Sequence, residues 1–294
     1  MAVQSYAGPE FLKGHGTEND FVVLPDPGGE LDLTAARVRA LCDRRIGLGA
    51  DGVLRVVPGG LLGEELPADV PTDAWFMDYR NADGSVAEMC GNGVRVFARY
   101  LLESGLVASG TVPVGTRAGL RGVLLGEDGR VTVDMGVAAV AGHASVTVAG
   151  YAMSALAVDL GNPHLVCVTS GIGDLDLSVQ PGYDPELFPH GVNIELVEPL
   201  DERALRMRVY ERGVGETRSC GTGTVAAAVA ALRADGGEHG VRLVHVPGGT
   251  VEVEVTPETT TLTGPAELLA RGELDAEWWR RIGEPVLVTS GTNR

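Results

Sequence analysis

Only four cysteines occur in the 294 residues, Cys42, Cys90, Cys167 and Cys220. Their scattered spacing matches neither a disulfide framework nor a CxxC-type zinc site, so free thiols in a reducing cytoplasm and no bound metal are expected. Basic residues are also few: 23 Lys and Arg against 40 Asp and Glu give a net charge of -17 and a pI near 4.7. Such a surface repels a phosphate backbone or an anionic membrane, which disfavours nucleic acid and lipid as partners and leaves a small-molecule substrate. Long apolar runs are missing. The longest, Val225 to Leu232, falls far short of the roughly 20 residues that span a bilayer. Met1 to Tyr6 carry neither a basic leader nor an apolar core of signal-peptide length, so no secretion is expected.

What the chain does have is apolar material: 44% of residues are hydrophobic and 21% charged, enough for cores in two lobes of about 100 to 150 residues each. An internal repeat points to the same number. In the first half a strand reading Ala74-Trp75-Phe76-Met77-Asp78-Tyr79-Arg80 is followed by a loop, then Cys90-Gly91-Asn92-Gly93, then a helical stretch from Val94 to Glu103. In the second, Leu205 to Tyr210 is followed by a loop, then Cys220-Gly221-Thr222-Gly223, then a helical stretch from Thr224 to Arg233. Earlier in each half an asparagine opens a strand, at Asn19 and again at Asn162. Thr34 to Arg44 reads as a helix with Thr34 as N-cap, and most other segments alternate as strands bounded by Gly or Pro. Leu61 to Thr72 reads as a surface excursion.

The fold class expected is α/β in its α+β form: two pseudo-symmetric lobes from an internal duplication, each a rolled, mostly antiparallel sheet around a central helix. The boundary falls at Met135-Gly136. It gives an N-terminal lobe over 1–136 with Cys90, a C-terminal lobe over 137–280 with Cys220, and a strand at about 281–294 returning to the first.

A cysteine just before a helix meets the positive end of the macrodipole and unpaired backbone amides, both of which favour a thiolate, so a lowered thiol pKa is expected. The glycines let a ligand approach the backbone, and the amides of Gly91-Asn92 and Gly221-Thr222 can cradle a carboxylate. Inverting an amino-acid α-carbon needs a base on one face and an acid on the other, and thiols near neutrality can do both. Carbanion charge entering the carboxylate would be met by preorganised amides, so no pyridoxal or other cofactor is required. Cys42 and Cys167 lack the glycine setting and read as inert core thiols.

Ala87 to Tyr100 (AEMCGNGVRVFARY) and Tyr210 to Thr224 (YERGVGETRSCGTGT) resemble the paired signatures of the diaminopimelate epimerase family. Supporting pieces are Asn19-Asp20-Phe21, Asp43 to Arg45, Gly49 to Gly52, Asn81 to Gly84, Gly161-Asn162-Pro163-His164 and Val192-Asn193, in the family's order over nearly the whole chain. The resemblance implies an active site between the lobes and interconversion of LL- and meso-2,6-diaminopimelate, a step toward lysine and cell-wall peptide. It implies Cys90 and Cys220 as the acid/base pair, His164 and Glu211 assisting proton transfer, and Asn19, Asn81, Asn162, Asn193, Glu211 and Arg212 binding substrate. Gly52 stands where the family often has glutamine, and Gly16-Thr17-Glu18-Asn19 departs from the commoner Gly-x-Gly-Asn. Two other readings are a proline or hydroxyproline racemase, and a redox-responsive binding protein whose cysteines only pair. Monomer and homodimer are both open.

Overall fold

The structure is a computed structural model that describes residues 7–283. The first half runs β1 (Ala7–Gly16), β2 (Asn19–Pro25), α1 (Ala35–Cys42), β3 (Gly52–Pro58), β4 (Trp75–Asn81), α2 (Gly91–Glu103), β5 (Gly110–Thr116), β6 (Gly119–Leu125) and β7 (Val131–Gly136). The second runs β8 (Ala139–Val148), β9 (Tyr151–Asp159), β10 (Pro163–Val168), β11 (Asn193–Pro199), β12 (Ala204–Glu211), the short β13 (Gly215–Thr217), α3 (Gly221–Ala234), β14 (Gly240–Val246), β15 (Gly249–Val255), β16 (Thr260–Gly264), β17 (Glu267–Asp275) and α4 (Ala276–Gly283).

Strand pairing displays the duplication directly. From β2 onward the first half pairs β2–β3 parallel, β3–β4 antiparallel, β4–β5 parallel, then β5–β6 and β6–β7 antiparallel. The second repeats that sequence through β10–β11, β11–β12, β12–β14, β14–β15 and β15–β16. An antiparallel pairing of β7 with β16 joins the halves into one continuous sheet. Each parallel step from β4 to β5 and from β12 to β14 is a crossover, and the crossover element is the helix α2 or α3, as parallel neighbours require.

One strand on each side closes the pattern. Strand β9 is flanked by β8, which follows β7 directly, whereas its counterpart β1 is flanked by β17 from the far end of the chain. Among the described residues, the strand that returns to the first half is Glu267–Asp275. Of the expected return at 281–294, residues 281–283 belong to α4 and the rest lie outside the described residues. Strand β17 is mostly exposed, with Leu274 buried, so it lacks the alternation that announces a half-buried strand.

Each half of the sheet curls around its own helix. Helix α2 packs against β1, β2, β6, β7 and β17, and α3 against β9, β10, β11, β14 and β15. Residues Val94, Val96, Phe97, Ala98 and Leu101 of α2 are fully buried, and burying a side chain of Val, Leu or Phe size stabilises by about 1.5–3 kcal/mol. In α3, Gly223 to Leu232 is buried without a break, which its alanine-rich sequence permits because small residues let strands close in on every side. Both helices stop alike: Gly105 (φ 68) and Gly236 (φ 81) take the left-handed conformation just past the cap. The Leu61 to Thr72 excursion is less superficial than its composition suggests, because Leu62 and Val70 join Val57 and Phe76 in a small core on the outer side of the sheet.

Candidate active site

The two cysteines occupy equivalent places, Cys90 as N-cap of α2 and Cys220 as N-cap of α3, both with extended backbone. The helix starts meet head to head. A Cβ added to Gly221 would lie 3.2 Å from the Cα and N of Gly91 and 3.3 Å from the N of Asn92. Glycine favours this close approach, since a Cβ would be tightly crowded there, and the approach brings two sets of first-turn amides and two macrodipole positive ends to one place. Such a place suits an anion.

The thiols do not behave as the helix argument alone predicts. Burial pushes Cys90 up to about 11; the amides of Gly93 and Asn92 and the charge of Arg95 pull the other way, and the Glu211 carboxylate adds to the rise. Cys220 is pushed well above the usual thiol value by burial, then by Glu211 and Glu195, with the Gly223 amide and the Thr222 hydroxyl opposing. The expected lowering is thus reversed, because desolvation of a thiolate exceeds what one helix terminus returns. Burial likewise raises Cys42 and Cys167 to about 12, consistent with core thiols.

Around the junction, several expected residues converge. Cys90 Sγ lies 3.5 Å from Asn19 Oδ1, which also accepts from Asn92 Nδ2 at 3.2 Å. Asn19 in turn donates to Asp51 at 2.9 Å. On the other side, Asn162 Nδ2 donates to Thr222 Oγ1 at 3.3 Å, and that hydroxyl lies 3.7 Å from Cys220 Sγ. Asn193 is pinned by accepting from the Arg212 amide at 2.9 Å while donating to the Pro163 carbonyl at 3.3 Å. Glu211 takes a hydrogen bond from the Thr217 hydroxyl. Burial raises its carboxyl pKa despite that bond, and Glu195 and Asp51 raise it further while His164 opposes. Arg212 is exposed, its guanidinium contacting the His190 carbonyl at 3.4 Å. Asn81 donates to Ser85 at 3.0 Å within its own turn, opposite Gly52 in the β3–β4 ladder. Its side-chain bond is therefore the turn chemistry its sequence also allowed.

His164 is fully buried, and its Nδ1 lies 2.7 Å from Oε1 of the equally buried Glu195. No residue motif singled out Glu195. The available signal was a lone acid in the otherwise apolar run Ile194 to Val197, two residues after Asn193 and so on the same face of β11. Gly52 has no room for a larger residue, since an added Cβ would sit 2.6 Å from the Arg80 carbonyl oxygen and 2.7 Å from the Tyr79 ring. The close β3–β4 approach here accounts for glycine at this position.

The Thr17-Glu18 departure is a two-residue hairpin turn closed by the Gly16–Asn19 pair, with both central residues at positive φ, 50° and 60°. Turns of this kind favour Asn and Gly, and a β-branched residue there is an outlier.

Comparison with known proteins gives matches over nearly the whole chain. The family model for diaminopimelate epimerase matches residues 11–141 and 156–269. The diaminopimelate epimerase of Rhodococcus opacus (strain B4) is 55% identical over 93% of this chain and 99% of its own. That of Mycobacterium tuberculosis (strain ATCC 25177 / H37Ra) is 54% identical over 93% and 99%. Among solved structures, a hydroxyproline epimerase from Agrobacterium vitis shares the fold with a TM-score of 0.65 at 17% identity, covering 92% of this chain and 94% of that one. A Bacillus anthracis phenazine biosynthesis protein of the PhzF family does so with a TM-score of 0.62 at 15% identity, covering 90% and 98%. At such identities these two structures speak for the architecture alone, whereas the family model and the curated relatives span nearly the whole chain, which therefore belongs to the diaminopimelate epimerase family.

Proposed function

We propose that this protein interconverts LL- and meso-2,6-diaminopimelate by removing the α-proton at one stereocentre and returning a proton to the opposite face, in the cytoplasm, as a step toward lysine and cell-wall precursors. The observation that carries this reading is the close approach of Gly221 to Gly91, which supports a shared anion site between the two cysteine-capped helix starts. Cys90 and Cys220 are the acid/base pair. The substrate α-carboxylate sits between the two helix starts, held by amides of Gly91, Asn92, Gly221 and Thr222, where charge developing in the carbanion-like transition state meets fixed donors. Asn19, Asn162 and Asn193 orient the α-amino group and the distal end, with Asn81 and Arg212 at the rim. Arg212 suits a distal carboxylate through its planar fork. Glu211 lies near enough to bias both thiols, raising each of them, and His164 acts on Glu211 in the opposite sense, which supports the two as assistants to the proton transfers.

A thiol with a raised pKa is a weak acid and a strong base. Matching it to a poorly acidic carbon acid costs little at the moment of transfer, but the thiolate is scarce at neutrality. For the free enzyme, kcat/KM should therefore rise close to tenfold per pH unit from about 6 to 8, because ionisation of a high-pKa base grows in that proportion. A profile already flat below pH 7 would show that the proton-removing group is not a high-pKa thiol.

The reading is tested by incubating reduced protein with LL-diaminopimelate in deuterated water without added cofactor. Deuterium at the α-carbon with appearance of the meso isomer is the expected result. Exchange of proline or hydroxyproline instead would transfer the assignment to a racemase of cyclic substrates; no exchange of any amino acid would favour a binding role.

A further inference from the structure

The hairpin tip Thr17-Glu18 belongs to the first half of the chain but is gripped by the second. The Thr17 carbonyl oxygen lies so close to Gly248 that an added Cβ there would fall 1.9 Å from it. Glu18 pairs with Arg218, which also donates to the Pro247 carbonyl at 2.9 Å and accepts from the Gly248 amide at 3.0 Å. Thr17 is 1% exposed. Its hydroxyl lies 2.7 Å from the Gly16 carbonyl oxygen and 2.7 Å from the Ser219 hydroxyl, and it accepts from Arg95 Nη2 at 3.2 Å.

The proton directions follow from counting. Thr17 has one proton and the Gly16 carbonyl can only accept, so Ser219 donates to Thr17 and its own oxygen is free to accept from Asn92 Nδ2 at 3.1 Å. Asn92 is in the first turn of α2, and Ser219 immediately precedes Cys220. Arg95 is fully buried, held by Thr17 and by the Pro265 carbonyl at 3.2 Å, with Nη1 unpartnered among the described residues. A continuous chain of bonds thus runs from Arg95 through Thr17, Ser219, Asn92 and Asn19 to Cys90. A β-branched residue is kept in a left-handed conformation only where its surroundings over-determine it, and such positions cluster at functional sites.

We propose that Thr17 is a positioning residue for the reaction. Its hydroxyl, at the tip of the β1–β2 hairpin, bonds the residue before Cys220 to the helix that Cys90 caps, and so sets the two cysteines in register on opposite faces of one carbon. This rests on the reading of Cys90 and Cys220 as an acid/base pair. Among the described residues the Thr17 hydroxyl bonds to Gly16, Ser219 and Arg95 and to neither cysteine. Its influence is through the placement of the two helix starts, where an error of about 1 Å is enough to cost on the order of 100-fold in rate.

The test compares the full-length wild type with Thr17→Gly, Thr17→Ser and Ser219→Ala. Glycine relieves the backbone strain while removing the hydroxyl, so Tm should move little, while kcat falls roughly 10- to 100-fold with KM changed far less. Amide hydrogen exchange at the starts of α2 and α3 should quicken several-fold in the same variant. Thr17→Ser should recover most of kcat, and Ser219→Ala should reproduce the loss without touching the hairpin, which covers the case that Thr17→Gly does not fold. In the double variant the losses should not add, because both hydroxyls serve one bond. Unchanged exchange at both helix starts, or kcat within twofold of wild type in Thr17→Gly and Ser219→Ala, would overturn the proposal. A wild type that epimerises nothing would instead sink the reading of the reaction, and the exchange measurement would still decide the hairpin.

Discussion

Cys90→Ser and Cys220→Ser are each expected to lower LL-to-meso interconversion by about 100- to 10,000-fold, the usual contribution of a positioned general acid or base. Serine preserves size and the N-cap geometry, so the loss would report chemistry: a hydroxyl is a far weaker acid than a thiol and cannot serve as a base near neutrality. The two variants should also differ from one another. With one thiol left, a protein can still remove the α-proton from the stereoisomer that presents it to that face, and solvent deuterium then returns from the same side. Each variant should therefore wash deuterium into one stereoisomer with retention, Cys90→Ser into one and Cys220→Ser into the other. Two-dimensional analysis by mass spectrometry and chiral separation reads both effects. More than about a tenth of wild-type turnover in either variant would remove that cysteine from the acid/base role.

Asp78→Ala should produce the largest loss of stability. The carboxylate is fully buried on β4 and accepts from Arg80 Nε at 2.7 Å and Arg117 Nη2 at 2.7 Å, with Arg55 at 3.6 Å. Arg55 is also paired with Asp26, and Arg117 with Glu64 from the Leu61 to Thr72 excursion. Truncating Asp78 leaves three guanidinium groups around a cavity with too little negative charge, and breaking a buried pair in this way costs about 3–5 kcal/mol. The pH dependence has a defined sign. Burial raises the Asp78 carboxyl pKa, but the Arg80 hydrogen bond and the charges of Arg117 and Arg80 outweigh it and hold the value below the ordinary one. A depressed folded-state pKa contributes stability above the unfolded value, near 4, which is lost as pH falls through the folded value. Urea unfolding of wild type and variant should accordingly diverge most at pH 6 to 8 and converge below pH 4. A gap under about 1 kcal/mol at pH 7 would mean that the cluster is effectively solvated, as exposed ion pairs are.

Local chemistry made much of the architecture readable. The order strand, Cys-Gly-x-Gly, helix appears twice in the residues and twice in space, and Thr34 caps α1 through the Arg37 amide as its side chain suggests. Both repeats begin their helices at the first glycine, three residues earlier than apolar periodicity indicated, because glycine carries no periodic signal. Alternation located most strands but gave no signal for β17, an exposed edge strand; the return expected at about 281–294 falls mostly outside the described residues.

By itself the sequence determined what depends on neighbours along the chain: the duplication, two cysteines at helix starts, glycines where backbones must approach, and the family. The tertiary structure alone decided what depends on neighbours across it. Burial carries the Cys90 and Cys220 thiols upward where the helix ends would have carried them downward. Packing of two strands gives His164 its partner Glu195, 31 residues away. Thr17 meets Ser219 across 202 residues. Desolvation and hydrogen-bond partnership are set by which surfaces are brought together, and that is a property of the folded chain rather than of any segment of it.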